Sequence, residues 1–233
     1  IICTSYEDQD KPLINIANEN QIKYFLGDPN DVIKRLYDAS EEFNLDYVLN
    51  ITADCPLVDP VYADLIVDKF IETDADLIRQ LDLPHGVFSY GIKVSALKKI
   101  NEIKNSNHTE VWGKYFTDTG IFSILDLDVT DDFHRRPGLR MTVDYPEDFE
   151  FLKRVFAELY QKNKMITLDE ILTLLDKNPE IIEINKNCGN MFKKRFSSQM
   201  NIKLKKKMKV KSAIVVGSGS IGQRHIKNLK TLG

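Results

Sequence analysis

Two largely apolar runs in this chain each stop on an aspartate, and each is followed closely by a proline that can open a helix. The first, Tyr47-Val48-Leu49-Asn50-Ile51-Thr52, leads into Ala53-Asp54-Cys55-Pro56 and then Asp59-Pro60. The second, Leu139-Arg140-Met141-Thr142-Val143, ends at Asp144 and continues as Tyr145-Pro146-Glu147-Asp148. A short apolar run bounded by turn residues predicts a buried strand. Asp ahead of Pro, or acids in a first turn that begins on Pro, predict a helix start. Strand, acid, helix, twice over, confines the chain to an α/β architecture.

The remaining sequence follows the same grammar. Tyr24-Phe25-Leu26 runs into Gly27, and Asn30 is placed to cap a helix carrying Val32, Ile33, Leu36, Tyr37 and Phe43 at helical spacing. Asp59 should cap the helix that turns Leu65, Ile66 and Phe70 inward. Further strands are expected at 75–79, 121–127 and 139–143, and a turn at Pro84-His85-Gly86. Helices are expected from Ser95, near 109–117, and from Pro146 to about 161; Thr167 and Glu170 have capping-box spacing for one more. Such alternation predicts a mainly parallel sheet covered by helices on both faces.

With 233 residues, 42% of them apolar, the chain can bury one full domain core. Its net charge of -3 with 29% charged residues argues against a nucleic-acid binder. Cys3, Cys55 and Cys188 are too scattered for a disulfide framework or a zinc site and are read as reduced thiols of a cytoplasmic protein. No apolar run approaches the roughly 18 residues of a membrane span. The start at Ile1 carries no basic region of a signal peptide. A start without Met and an abrupt end lead to the expectation that the chain is a piece of a longer protein.

From 201 the composition shifts. Residues 201–211 form a lysine-rich stretch, expected to be a solvated linker after a domain spanning 1–200. Residues 212–233 then read as one βα unit: the strand Ala213-Ile214-Val215-Val216, then Gly217, Gly219 and Gly222 in G-x-G-x-x-G, then a helical pattern from His225 to Leu232. In that context the glycines let backbone approach a dinucleotide pyrophosphate at the helix start.

In an open α/β sheet, ligands collect beyond the carboxyl ends of strands. Asp54 and Asp144 can therefore meet across one cleft although far apart in sequence. Two carboxylates on one edge suit Mg²⁺, which takes one or two protein carboxylates plus substrate phosphates. Taken singly, either Asp reads more readily as a cap of the turn after its strand. His134, Arg135, Arg136 and Arg140 form a basic cluster ahead of the second acid. Arg grips carboxylate or phosphate with two parallel hydrogen bonds, and Arg140 is the prime candidate for such a contact; His134 and Arg135 read as well as surface charge. Asp126-Leu127-Asp128 offers an alternative metal motif, of the Asp-x-Asp kind used by glycosyltransferases that take a nucleotide-sugar donor.

The segment from Asn50 to Pro60 resembles the "GDCPLIDP" stretch of the CMP-Kdo synthetase-like cytidylyltransferases, nearest to the spore-coat polysaccharide branch. Residues 139–148 are similar to that family's "LRLTVDTPEDL", and Phe25-Leu26-Gly27-Asp28-Pro29-Asn30-Asp31-Val32 with Arg35 to its "G(S/D)xxDVLxR" stretch. Pro84-His85-Gly86 matches its "PxG" turn. The resemblance covers about 1–160. It implies a Rossmann-like nucleotide-diphospho-sugar transferase sheet and transfer of CMP from CTP to an acidic sugar, a nonulosonic or ulosonic acid for surface polysaccharide. By position, Asp54 and Asp144 would hold Mg²⁺ and Arg140 would act beside them. Asp31, Arg35, His85 and Arg136 would line the substrate pocket, and a homodimer would be compatible. Ala53 stands where the family has Gly, and Asn50 where a basic residue is common. The family's Gly-rich phosphate loop would precede Ile1, so the chain by itself is expected to be inactive. The string ending at His225 resembles the start of glucose-fructose oxidoreductase/inositol dehydrogenase-type enzymes, which implies NAD(P) binding only in an intact parent protein. A non-catalytic domain fused to such an oxidoreductase is the remaining alternative.

Overall fold

The computed structural model describes residues 1–198 and 202–205. β1 (Ile2–Ser5) and β2 (Tyr24–Gly27) pair in parallel, joined by the crossover helix α1 (Lys11–Glu19) with a proline in its first turn. α2 (Val32–Glu42) follows. Its cap is Asp31 rather than the expected Asn30: the Asp31 carboxylate accepts the Lys34 N–H at 3.1 Å, while the Asn30 carbonyl accepts the N–H of Thr109.

A second sheet contains β3 (Tyr47–Asn50), β4 (Leu77–Gln80), β5 (Tyr90–Lys93) and β6 (Ile124–Leu127), in the order β3-β5-β4-β6. β5 is antiparallel to both β3 and β4, and only β4 and β6 run parallel. The sheet is thus mixed, not mainly parallel as expected. The loop through Pro84-His85-Gly86 is too short to hold the crossover that a parallel return needs. It reverses the chain instead, with Gly86 at φ +97°.

Helices cover both faces. α2, α4 (Val94–Ile103) and α5 (Gly113–Thr117) bury Ile33, Leu97, Ile100 and Phe116 against Leu77 and Ile92. The helix expected near 109–117 is confined to its second half. On the other face α3 (Pro60–Glu72), capped by Asp59, buries Ile66 and Phe70 against Ile78. α3 lies close to the sheet because β5 offers a glycine there: a Cβ on Gly91 would stand 2.3 Å from Phe70 Cζ. α6 (Pro146–Leu159), α7 (Leu168–Lys177) and α8 (Glu180–Glu183) gather a third cluster around Met141, Phe151 and Leu172. α9 (Cys188–Ser198) follows.

Residues 139–143, expected as a strand, make only one bridge, Arg140 with His85. Their partner is a turn, so the ladder cannot extend. Met141 N–H donates to the His85 carbonyl at 2.7 Å, but the next inward N–H, that of Val143, donates to the Asp54 carbonyl at 2.9 Å. Within the lysine-rich stretch, Leu204 bridges Lys104, and Asn105 N–H donates to the Lys203 carbonyl at 2.7 Å. This part is therefore docked through its backbone on the end of α4, with Lys203, Leu204 and Lys205 exposed. The unit expected at 212–233, with Gly217, Gly219 and Gly222, lies outside the described residues. Among the described residues no helix is long and apolar enough to cross a membrane.

Candidate active site

Arg140, Asp144 and Asp148 recur every fourth residue, and the structure joins them. Asp148, in the first turn of α6, is wholly buried. Its carboxylate accepts the N–H groups of Asp144 (3.0 Å) and Tyr145 (3.2 Å), Nε of Arg140 (2.9 Å) and Nδ2 of Asn185 (2.9 Å). Burial alone would raise its pKa. The Arg140 guanidinium, the Asp144 amide and Asn185 outweigh that and hold it below the ordinary carboxylate value. Arg140, itself buried, also donates through Nη2 to Asp144 Oδ2 at 2.5 Å. The other oxygen of Asp144 accepts from Nη2 of Arg195, on α9, at 2.7 Å. Asp144 is thus no turn cap: the caps fall to Asp148, and its own oxygens each face a guanidinium.

Asp54 lies in the exposed loop after β3. Its carbonyl accepts the Val143 N–H at 2.9 Å and the Thr142 hydroxyl at 3.0 Å. These two bonds stitch the acidic loops together one residue before Asp144. Cys55 closes the seam, its Sγ 3.5 Å from Thr142 Oγ1. His85 stands at the same place through its backbone bonds to Leu139 and Met141. Its ring packs between Phe88 and Phe192, at centroid distances of 5.7 and 5.4 Å. Burial, and then Arg140, push its pKa below the ordinary histidine value against the pull of Asp144, Asp54 and Asp148. The ring is therefore a neutral imidazole at neutral pH.

Asp54, His85, Arg140 and Asp144 are therefore brought together. The contacts of Asp31, Arg35 and Arg136 lead elsewhere. Asp31 is buried, accepts the Thr109 hydroxyl at 2.9 Å and pairs with Lys104, an arrangement that ties α2 to the end of α4. Arg35 Nη1 donates to the Asp28 carbonyl at 2.7 Å. Arg136 forms a two-pronged pair with Asp176 of α7, at 2.6 and 2.8 Å. His134 binds Tyr62 Oη at 2.9 Å, and Arg135 donates to the Val129 carbonyl. Asp126 pairs with Arg79 on the sheet edge opposite β3, away from the Asp54 loop. Sequence reasoning missed Asp148 as the hub, along with Asn185, Phe192 and Arg195. The four-residue spacing was a usable signal for Asp148. Asn185 and Arg195 give none, because their roles arise from tertiary contact.

Among the described residues no group of three or more His, Cys, Asp or Glu has the arrangement of a metal site. A cation here would rest on the two carboxylates of Asp54 and Asp144 and complete its shell from water or substrate oxygens. That donor set suits Mg²⁺ better than zinc, which prefers several nitrogen or sulfur ligands.

No protein-family model matches the chain. It is 27% identical over 193 residues to an uncharacterised protein of Methanocaldococcus jannaschii, covering 80% of this chain and 76% of that protein. It is 24% identical over 183 residues to the spore coat polysaccharide biosynthesis protein SpsF of Bacillus subtilis, covering 77% of this chain and 75% of SpsF. Among solved structures, a cytidylyltransferase from Leptospira borgpetersenii superposes with a TM-score of 0.69 at 25% identity, covering 76% of both chains. The chain has the α/β nucleotide-binding fold of that cytidylyltransferase.

Proposed function

We propose that this chain carries the catalytic carboxylates of a cytidylyltransferase that moves CMP from CTP to an acidic sugar, a nonulosonic or ulosonic acid destined for surface polysaccharide. The observation that carries this reading is the bond from Val143 N–H to the Asp54 carbonyl, which sets the two acidic loops side by side. The likeness in fold to a cytidylyltransferase and in sequence to a spore coat polysaccharide protein supports it. The acidic nature of the sugar rests on the resemblance of residues 50–60 and 139–148.

Bound Mg²⁺ would screen the triphosphate and stabilise charge developing on the α-phosphoryl group. Asp54 and Asp144 would hold it. In the reaction the sugar hydroxyl forms the new bond to the α-phosphorus as the bond to the pyrophosphate oxygen breaks, and the hydroxyl proton passes to solvent. Arg140 is committed to Asp148 and Asp144, so it serves as a positioning residue that fixes the Asp144 carboxylate. His85, neutral, offers a hydrogen bond to a substrate hydroxyl at the same rim.

The test is pyrophosphate release by the full-length protein with CTP and a panel of sugar acids. Asp54→Ala and Asp144→Ala should each lower the rate by at least about 100-fold. Near-normal turnover in either variant removes that residue from the mechanism. Sugar transfer from a nucleotide-sugar donor, with no pyrophosphate formed from CTP, would replace this reading by that of a glycosyltransferase.

A further inference from the structure

The acid thought to hold the cation already has cations on it. Asp144 Oδ2 accepts from Arg140, and Oδ1 accepts from Arg195. The two arginines are not equivalent. Arg140 is 7% exposed and also holds the buried Asp148, so its departure would strand a charge without a partner. Arg195 is 45% exposed and sits on the distal half of α9. Although Asp144 itself is only 15% exposed, its pair with Arg195 is the more open to water of the two and the more readily exchanged.

The base of α9 is anchored, whereas Arg195 is exposed. Asn185 donates to the Arg140 carbonyl at 3.0 Å and to Asp148, and Cys188 at the start of the helix is buried. The Arg195 guanidinium also lies 5.6 Å from the rings of both Tyr145 and Phe192. Aromatic faces hold a guanidinium close without fixing its hydrogen bonds. Released from Asp144, it would stay at the rim of the site beside these two rings.

We infer that Arg195 is the resident counter-ion of the acidic loops: a divalent cation displaces it from Asp144, and the freed guanidinium then holds a phosphate of the nucleotide. The inference rests on the reading of Asp54 and Asp144 as cation ligands. It predicts effects of opposite sign from one substitution. Removing Arg195 removes a competitor of the metal and a partner of the nucleotide.

The experiment uses the full-length protein and measures Mn²⁺ binding by water proton relaxation, then CTP binding by calorimetry at saturating Mg²⁺. Arg195→Ala should bind Mn²⁺ about fivefold more tightly and CTP about tenfold more weakly. Arg195→Lys should fall between, and Lys193→Ala, on the same helix, should alter neither. Asp144→Asn should lose Mn²⁺ at this site. Unchanged or weaker Mn²⁺ binding in Arg195→Ala, with Asp144→Asn defective, overturns the inference and leaves the proposed function standing. So does unchanged CTP affinity in Arg195→Ala, or an equal gain in Lys193→Ala. If Asp144→Asn and Asp54→Asn both bind Mn²⁺ normally, the proposed function itself falls.

Discussion

Asp148 is fully buried, yet its surroundings favour the charged carboxylate. Its depressed pKa makes a stability statement with a definite sign. The contribution is fully present above the unfolded carboxylate value, about 4, and is lost as pH falls through the lower folded value. Asp148→Asn should therefore cost on the order of 3 kcal/mol at pH 7, since it leaves Arg140 short of its main partner. Its urea midpoint should also vary less than that of the native chain between pH 4 and pH 2. Parallel pH profiles for the two proteins would show that Asp148 is not the titrating group. Residues of this kind were half legible in the sequence. Asp54 and Asp144 stood out because each ends a strand-like run before a proline. Arg140 stood out as a charge in an apolar segment, but its target did not: it faces two carboxylates of its own chain. Arg195 carried no mark, because only the path of α9 across the site gives it meaning.

At the scale of elements, the strand-and-turn grammar located most helices and lost detail where partners decide the outcome. Residues 139–143 have the composition of a strand, but a turn cannot offer them a ladder, so they make one bridge and then deliver Val143 to Asp54. β5 escaped notice because Tyr90-Gly91-Ile92-Lys93 is short and interrupted by glycine. That glycine is the seat of α3. A methyl group at 91 would meet Phe70 Cζ at 2.3 Å and Ile66 Cγ2 at 2.5 Å. Gly91→Ala should thus destabilise the fold by about 1–3 kcal/mol in chemical denaturation, the range for overpacking a filled interior. Phe70→Leu in the same chain should recover part of the loss. A Gly91→Ala protein as stable as the native one would mean that α3 can back away freely.

For the molecule as a whole, the α/β class and the helices on both faces were readable from alternation alone, whereas the mixed strand order was not. Strand direction depended on a loop length that composition does not reveal. Cohesion between distant parts was equally hidden. Lys104 at the end of α4 is buried, and its ammonium pairs with buried Asp31 at the start of α2. Lys104→Met should cost about 3–5 kcal/mol by leaving that carboxylate unpaired. Amide exchange in the first turn of α2 should accelerate beyond that of β4, and uniform acceleration would deny Lys104 a local role. Its neighbours Ile103 and Asn105 bond through their backbones to Lys205 and Lys203, so the start of α2 and residues 202–205 hang from one peg. Traction on that segment, as in a pulling experiment with optical tweezers, would be felt first at the mouth of α2. Whatever is tethered beyond 205 thus has a mechanical handle on the joint between α2 and α4.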